Sequence, residues 1–401
     1  MSAYALRCRV CEDVTPPTPA DACVRCDGPT DVTYDWGWIA RRVDRPRIAA
    51  GPPSLWRYGG LLPAGARVEV GAGWTPLVHA SRLSHLLGID LHLKLETANP
   101  TLSFKDRLAT IAASAAIDHG VTTLCCSSTG NLGDAVAATA AATGLEAIVL
   151  APAEEAAEGL GARVSGAHVF AVRGSYDDCR RLEHELGALF PWGFVGGNLH
   201  AYASEGAKTI SFEIVEQLGW RMPDAVVCPA ASGTLFAKLA QGFAEASRAG
   251  LADGPAPRLY AAQAEGASPI ASAYADDRGI SRVHADTSVR SLAIGDPSSG
   301  DLALGAARST GGGIFALSEE RIDEDTRLLA RTTGLFADRA SGAALGALVE
   351  AMLAGRIEPG ARVVLVVTGA GAKPYAGCAT PAVTPVEPDV EDVLRRLELD
   401  R

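Results

Sequence analysis

The chain has 401 residues, of which 48% are hydrophobic and 21% are charged, and its formal net charge is −11. This length exceeds what one hydrophobic core usually serves, so we expect a globular protein of two lobes. The negative charge argues against nucleic-acid and anionic-membrane partners, and no apolar run reaches the roughly 20 residues of a membrane span.

The N-terminal segment carries two CxxC pairs, CRVC and CVRC, whose cysteines are Cys8, Cys11, Cys23 and Cys26. This spacing suits tetrahedral thiolate coordination of zinc, or of iron in an equivalent site. Disulfides are the alternative, which a reducing compartment disfavours. Cysteines and acids also stand where a signal peptide needs an apolar core, so we expect a cytoplasmic protein. Four thiolates leave no open position for a substrate, so the predicted metal is structural.

The next segment, Tyr34–Pro63, is rich in proline and arginine, and we expect an extended arm packed over a neighbouring lobe. From about Val68 onward, short apolar runs alternate with helical stretches. Such alternation predicts an α/β fold with parallel sheets covered on both faces. The tail, Thr384–Arg401, has the spacing of a terminal helix without a catalytic role.

One lysine, Lys105, lies in NPTLSFKDR, between an apolar strand pattern (Leu91–Glu96) and a helical pattern that begins near Arg107. It therefore lies near a helix N-terminus, although a lysine that pairs with the helix dipole belongs at the opposite end. Taken alone, Lys105 could equally be a solvated surface residue.

Three later loops also join a strand to a helix or close a strand, which is where ligands bind in such sheets. SSTGN (Ser127–Asn131) offers hydroxyls and backbone N–H groups to an anion, although a plain helix cap would look the same. PAASGT (Pro229–Thr234) allows close backbone approach to a phosphate, and it lacks the lysine of a P-loop. TGAGAK (Thr368–Lys373) closes the apolar strand VVLVV with a hydroxyl. An amine, two anion cradles and a hydroxyl together suit pyridoxal phosphate.

These motifs are where the chain resembles a known family. ETANPTLSFKDRLA, SSTGNLGDAVAA, EGAKTISFEIVEQLGW, PAASGTLFAKLAQGF and VTGAGAK resemble segments of threonine synthases in order and character, and the resemblance covers nearly the whole chain. It implies a two-lobed, fold-type II pyridoxal-phosphate enzyme, similar to the tryptophan synthase β fold. The small N-terminal segment would be a zinc-ribbon-like element.

The resemblance also implies roles for individual residues. Lys105 would bind the cofactor covalently and act in catalysis, with Phe104 near the cofactor ring and Asn131 at its 3′-oxygen. Ala231, Ser232, Gly233 and Thr234 would hold the cofactor phosphate, and Thr368 would face the pyridine nitrogen. The substrate α-carboxylate would be held by Ser128, Thr129 and Gly130.

We divide the chain, on this basis, into a four-cysteine metal ribbon (1–33), an extended arm (34–67), a large cofactor-binding lobe (68–115 and 205–385), a smaller mobile lobe (116–204) and a C-terminal helix (386–401). The implied partner is a small phosphorylated amino acid, and the implied assembly is a homodimer. The expected reaction converts O-phospho-L-homoserine and water into L-threonine and phosphate.

Some substrate-facing positions depart from the family pattern. His200 stands where an arginine is expected for the leaving phosphate, and histidine is a weaker, pH-dependent substitute. Ala201 and Ala203 replace bulkier residues, and Asp338 and Arg339 are also unusual. The alternative function is therefore β- or γ-replacement on another activated amino acid, such as O-phosphoserine. A silent regulatory homologue is disfavoured because Lys105, Asn131 and Thr368 are all retained.

Overall fold

The computed structural model describes residues 4–20, 22–128, 130–158, 160–372 and 382–399. The chain divides into two compact units. The first unit comprises residues 1–72, 105–206 and 374–401, and the second comprises residues 73–104 and 207–373. The described strands are β1 Tyr4–Cys8, β2 Val14–Thr15, β3 Thr30–Tyr34, β4 Leu77–His79, β5 Asp90–Leu95, β6 Thr123–Ser127, β7 Glu146–Pro152, β8 His168–Val172, β9 Gly193–Phe194, β10 Ala225–Pro229, β11 Arg258–Ala264, β12 Gly313–Leu317, β13 Arg362–Val367 and β14 Thr384–Val386.

The α-helices alternate with these strands through most of the chain. They are α1 Trp36–Arg42, α2 Arg45–Ala49, α3 Ser81–Leu87, α4 Lys105–Asp118, α5 Asn131–Thr143, α6 Ala153–Glu158, α7 Leu160–Val164, α8 Tyr176–Gly187, α9 His200–Gln217, α10 Thr234–Arg248, α11 Pro269–Ala275, α12 Gly300–Ser309, α13 Glu319–Thr333, α14 Arg339–Leu353 and α15 Val390–Leu399. None of the described helices is both long and apolar enough to cross a membrane.

The first unit contains a five-stranded sheet in the order β14-β8-β7-β6-β9, in which every pair of neighbours is parallel. Its core contains Phe170, Leu182 and Phe194. A separate antiparallel sheet, β2-β1-β3, contains Cys8 at the end of β1. The alanine-rich helix α4 packs against α5 in this unit, although the division expected from the sequence placed residues up to 115 in the large lobe.

The second unit is built on a six-stranded sheet in the order β12-β11-β10-β13-β5-β4, parallel except for the edge strand β4. Strand β13, RVVLVV, lies inside it and is buried from Val363 onward, as expected for a β-branched strand covered on both faces. The α/β class with parallel sheets, predicted from the sequence, is confirmed.

The segment 34–67 differs from the extended arm that we expected, because it contains α1, α2 and a 3-10 helix over Leu55–Leu61. Aspartate caps explain the two α-helices. Asp35 accepts a hydrogen bond from Trp38 N at 3.0 Å, and Asp44 accepts one from Arg47 N at 2.8 Å. At the other end of the chain, the predicted C-terminal helix is preceded by strand β14 rather than extending to Thr384.

Candidate active site

Lys105 is the first residue of α4, and the residues just before it pair with the loop that follows β13. Phe104 N donates to Thr368 O at 3.1 Å, and Ala370 N donates to Leu102 O at 3.0 Å. Leu102 has a φ of 64°, a left-handed conformation that costs a non-glycine residue about 1–2 kcal/mol. Strain of this kind is typical of functional loops. This pairing places the residue expected near the cofactor ring beside the residue expected at the pyridine nitrogen.

The Lys105 amine loses its proton at a lower pH than the amine of an ordinary lysine. Loss of hydration in its packed surroundings lowers the pKa of Lys105 to about 8, and the Cys126 thiol opposes that change only in part. An ordinary lysine has a pKa of about 10.4 and is protonated almost completely at neutral pH. Lys105 therefore has the property that a nucleophile and general base needs.

The loop from Ser128 to Asn131 joins β6 to α5 in the first unit. Ser128 is buried, and its Oγ accepts hydrogen bonds from Gly130 N at 3.0 Å and from Gly133 N at 2.8 Å. The hydroxyl oxygen therefore holds the turn together. Gly130 has a φ of 140°, which favours glycine. Thr129, the third residue expected to bind the carboxylate, lies outside the described residues.

The loop from Ala231 to Thr234 joins β10 to α10 in the second unit, and a residue distant in the sequence completes it. Thr234 Oγ1 lies 3.1 Å from Ser232 Oγ and 2.9 Å from Ser299 Oγ, and Ser299 N donates to Ser232 O at 2.9 Å. A side chain at Gly233 would place its Cβ 2.7 Å from Ser299 O. A cluster of three hydroxyls at a helix N-terminus without a covering side chain is suited to phosphate.

Thr368 follows β13 and is buried, with only 3% of its surface exposed. Its backbone N donates to Ser341 Oγ at 3.0 Å, and that hydroxyl donates to Asp338 Oδ1 at 2.6 Å. The Thr368 Oγ1 atom itself lies 3.4 Å from Ser341 Oγ and 3.5 Å from Asp338 Oδ1. The Asp338 carboxylate therefore lies beside the Thr368 hydroxyl, which the family resemblance assigns to the pyridine nitrogen.

These residues fit pyridoxal phosphate in their chemistry. Two buried hydroxyls beside the predicted loops, Ser103 Oγ and Ser127 Oγ, have no hydrogen-bond partner within the described part of the chain. Buried polar atoms rarely stay unpaired, so their presence next to Lys105 and Ser128 is consistent with sites that receive a polar ligand. A lysine of lowered pKa, an open phosphate cradle and a buried hydroxyl are the three groups that this cofactor requires.

The four cysteines that the sequence predicts as metal ligands lie close together in the structure. The Sγ atoms of Cys8, Cys11, Cys23 and Cys26 all lie within 4.8 Å of one another. Individual separations are 3.5 Å for Cys8–Cys26 and 3.7 Å for Cys11–Cys23. Tetrahedral zinc with bonds of about 2.3 Å requires sulfur separations of about 3.8 Å. A Cβ at Gly28 would lie 2.9 Å from Cys8 Sγ, so only glycine leaves room for this turn.

His200, the residue expected near the leaving phosphate, is the first residue of α9 and is half-buried. Its backbone N donates to Gly197 O at 2.7 Å. Ala201 and Ala203 are buried behind it.

The family described as pyridoxal-phosphate dependent enzyme has a model that matches residues 68–369. The chain belongs to this family. It is also 33% identical over 382 residues to a threonine synthase of Methanocaldococcus jannaschii, covering 93% of this chain and 94% of that one. A threonine synthase of Methanosarcina acetivorans is 34% identical over 353 residues, or 86% of each chain.

Among solved structures, the chain is similar to maize serine racemase, with a TM-score of 0.64 and 19% identity over 75% of this chain and 90% of that one. At that identity the likeness shows the fold alone. Together the comparisons confirm the predicted fold type of a pyridoxal-phosphate enzyme and the resemblance to threonine synthases. The cysteine ribbon lies outside the matched residues 68–369.

Sequence reasoning missed several residues around the predicted loops. Ser299 and Ser341 complete the hydroxyl cluster and the Thr368 network, but each lies far along the chain from its partner and stands in no motif. Glu183 on α8 accepts a hydrogen bond from Ser127 N at the end of β6 and pairs with Arg180, and the positions of both residues in an ordinary amphipathic helix gave no signal.

Proposed function

We propose that the protein is a threonine synthase, which converts O-phospho-L-homoserine and water into L-threonine and phosphate. The single observation that carries this proposal is Lys105, whose pKa is lowered to about 8 at the start of α4, within a chain that resembles threonine synthases over most of its length. The enzyme is then a pyridoxal-phosphate-dependent lyase.

In this proposal the residues take the roles that the family resemblance implies. Lys105 binds the cofactor, Asn131 is assigned to its 3′-oxygen, and Ser128, Thr129 and Gly130 bind the substrate carboxylate. Phe104 packs near the ring, and Thr368 is assigned to the pyridine nitrogen. The cofactor phosphate is assigned to Ala231, Ser232, Gly233 and Thr234, with Ser299 added by its hydrogen bond to Thr234.

Pyridoxal phosphate, when bound, supplies an electron-withdrawing ring that stabilises negative charge next to the substrate nitrogen. The chain supplies the proton transfers. The neutral Lys105 amine takes protons from Cα and Cβ and returns protons to Cγ and Cα, which requires a base active near neutral pH. Overall, the C–O bond at Cγ breaks with release of phosphate, and water adds its hydroxyl to Cβ. The Ser128 loop fixes the carboxylate so that Cα stays within reach of the amine.

A direct test incubates the purified holoenzyme with O-phospho-L-homoserine and measures phosphate and threonine in the same sample. We expect equal amounts of both products, and Lys105→Ala should lose the activity and the visible absorbance of the bound cofactor while remaining folded. Phosphate without threonine would contradict the proposal.

The second candidate function is β- or γ-replacement on another activated amino acid, and His200 in place of the expected arginine is the observation that favours it. O-phospho-L-serine in the same assay discriminates the two. If the second function holds, His200→Arg should improve turnover of O-phospho-L-homoserine, and an unchanged rate would count against it.

We further propose that Cys8, Cys11, Cys23 and Cys26 hold a structural zinc ion, which the mutual approach of their sulfur atoms supports. We also propose a cytoplasmic homodimer that binds neither nucleic acid nor membrane, in keeping with the acidic net charge of −11.

A further inference from the structure

We infer that Arg180 is the cation of a subsite for the phosphate ester of the substrate, formed with His184 and the backbone of Gly196 and Gly197. The inference rests on the proposed function and deepens it, because it names the group that recognises the leaving phosphate in place of an arginine at position 200.

The fold places Gly196 next to the predicted carboxylate loop. Strand β9 runs parallel to β6, with Cys125 paired to Phe194, and Val195 N donates to Cys125 O at 2.9 Å. The chain after β9 therefore leaves the sheet at the same edge as Ser127, one strand spacing of about 4.8 Å away. A substrate whose carboxylate lies at Ser128 carries its phosphate on the γ-carbon, a short distance along this edge.

Arg180 reaches this point from α8. Its Nη2 donates to Gly196 O at 3.1 Å, and its Nη1 donates to Glu183 Oε2 at 3.1 Å. A Cβ at position 196 would lie 1.7 Å from Nη1, so the guanidinium occupies the volume that any side chain there would fill. The Arg180 side chain remains 32% exposed, which leaves part of it accessible to a ligand.

The Glu183 carboxylate holds the Arg180 guanidinium in position against the loop after β9. It is almost fully buried, and besides Arg180 it accepts hydrogen bonds from Ser127 N at 3.0 Å and from Gly196 N at 2.9 Å. One carboxylate thus joins the end of β6, the loop after β9 and the guanidinium. Such preorganisation reduces the cost of ordering an arginine around an anion.

The Arg180 guanidinium lies beside an open cavity. This small cavity opens to solvent and is lined by Arg180, Glu183, His184, Phe194, Gly196 and Gly197. His184 lies one helical turn after Arg180, on the same face of α8. Burial and the Glu183 carboxylate raise the pKa of the Cys126 thiol, and Lys105 and Arg180 oppose that rise, so both of these side chains lie near the same residue of β6.

The chemistry of arginine suits the assignment. A guanidinium is charged at every relevant pH and can donate two parallel hydrogen bonds to a phosphate, which histidine cannot. The loop continues from Gly197 directly to His200, whose backbone N donates to Gly197 O. The loop that carries histidine in place of the expected arginine therefore contacts another arginine, contributed by α8.

The test measures binding of inorganic phosphate to the holoenzyme by titration calorimetry, with the cofactor site already filled. Arg180→Gln should weaken phosphate binding about 10- to 100-fold, as expected for loss of charge-assisted hydrogen bonds. The matched control is Arg181→Gln, which removes the neighbouring charge of α8 from its pairs with Asp178 and Glu185 and should change the affinity less than twofold.

A second variant removes no charge. Gly196→Ala should displace the guanidinium and weaken phosphate binding to a similar extent, whereas Gly305→Ala, where no atom lies within 4 Å of the new Cβ, should have no effect. In kinetics, Arg180→Gln should raise KM for O-phospho-L-homoserine more than it lowers kcat. It should leave the absorbance change caused by L-homoserine, which lacks the phosphate, unaltered.

Wild-type phosphate affinity in both Arg180→Gln and Gly196→Ala would overturn the inference and leave Arg180 as a structural brace of the loop. If Arg180→Gln fails to fold, the phosphate affinity of Gly196→Ala alone tests the inference. A wild-type enzyme that binds phosphate through Arg180 but forms no threonine would refute the proposed function and leave the subsite standing.

Discussion

Gly206 in α9 lies against the backbone of α4, and replacing it with alanine tests whether this crossing positions Lys105. A Cβ at Gly206 would lie 2.2 Å from Arg107 O and 2.6 Å from Arg107 C. Overpacking typically costs 1–3 kcal/mol, and a backbone obstacle favours the upper end, about 3 kcal/mol. Alanine gains about 1 kcal/mol over glycine inside a helix. We expect Gly206→Ala to lower the free energy of unfolding by about 2 kcal/mol.

The same displacement should reach the site, because Arg107 is two residues after Lys105 in α4. We expect weaker cofactor binding in Gly206→Ala, measured by the visible absorbance of the reconstituted apoprotein. Stability is measured by urea unfolding followed by circular dichroism, with the slope of the transition compared between variants.

Gly305→Ala is the control for this prediction. It places the same methyl group inside helix α12 with nothing within 4 Å, and it should stabilise the protein by up to about 1 kcal/mol. Equal stability of Gly206→Ala and wild type, or a shift of both variants in the same direction, would refute the reasoning.

Three further predictions follow from the described contacts. Uptake of pyridoxal phosphate by the apoprotein requires a neutral amine. Since the pKa of Lys105 is lowered to about 8, the rate of cofactor uptake should rise with pH around a midpoint near 8. A midpoint near the ordinary lysine pKa of about 10.4 would contradict the assignment. Cys11→Ser should reduce bound zinc, measured by atomic emission, and lower the melting temperature, whereas Cys228→Ser should retain the metal; equal zinc in both variants would refute the site. Lys94 and Glu213 form a fully buried pair at 2.6 Å, so Lys94→Met should destabilise by about 3–5 kcal/mol in urea unfolding, and adding Glu213→Gln should recover part of that loss; additive losses would show that the pair is not coupled.

The positions of the candidate loops between strands and helices were predictable because their sequence signals are local. Lys105 follows a strand pattern and begins a helix, and the loops at Ser128 and Gly233 stand between a strand and a helix in the same way. Alternation of short apolar runs with helical stretches sufficed to predict parallel sheets, since a crossover helix is the usual connection between parallel strands.

The partners of those loops were not predictable, because tertiary packing alone brings them close. Ser299 reaches Thr234, and Ser341 reaches Thr368, across long stretches of chain. Arg180 looked like any charged residue of an amphipathic helix. Arg180 is distinguished by its position against Gly196, where no side chain blocks the guanidinium. Because Arg180 lies on α8 and Gly196 follows β9, no pattern within either element predicts this contact.

The segment 34–67 shows a different reason for error. Its proline and arginine content suggested an extended arm, but Asp35 and Asp44 each precede a short helix and cap it through a side-chain oxygen. Capping stabilises a helix end by about 1 kcal/mol, enough to offset a weak propensity in helices of this length.

The most direct measurement of the central claim is the fate of solvent oxygen when the enzyme acts on O-phospho-L-homoserine in ¹⁸O-labelled water. Cleavage of the C–O bond at Cγ with hydration at Cβ places one solvent oxygen in the hydroxyl of threonine and none in the released phosphate, and mass spectrometry of both products should show this. Solvent oxygen in the phosphate, with homoserine as the second product, would mean hydrolysis of the P–O bond and would contradict a lyase that acts through Lys105.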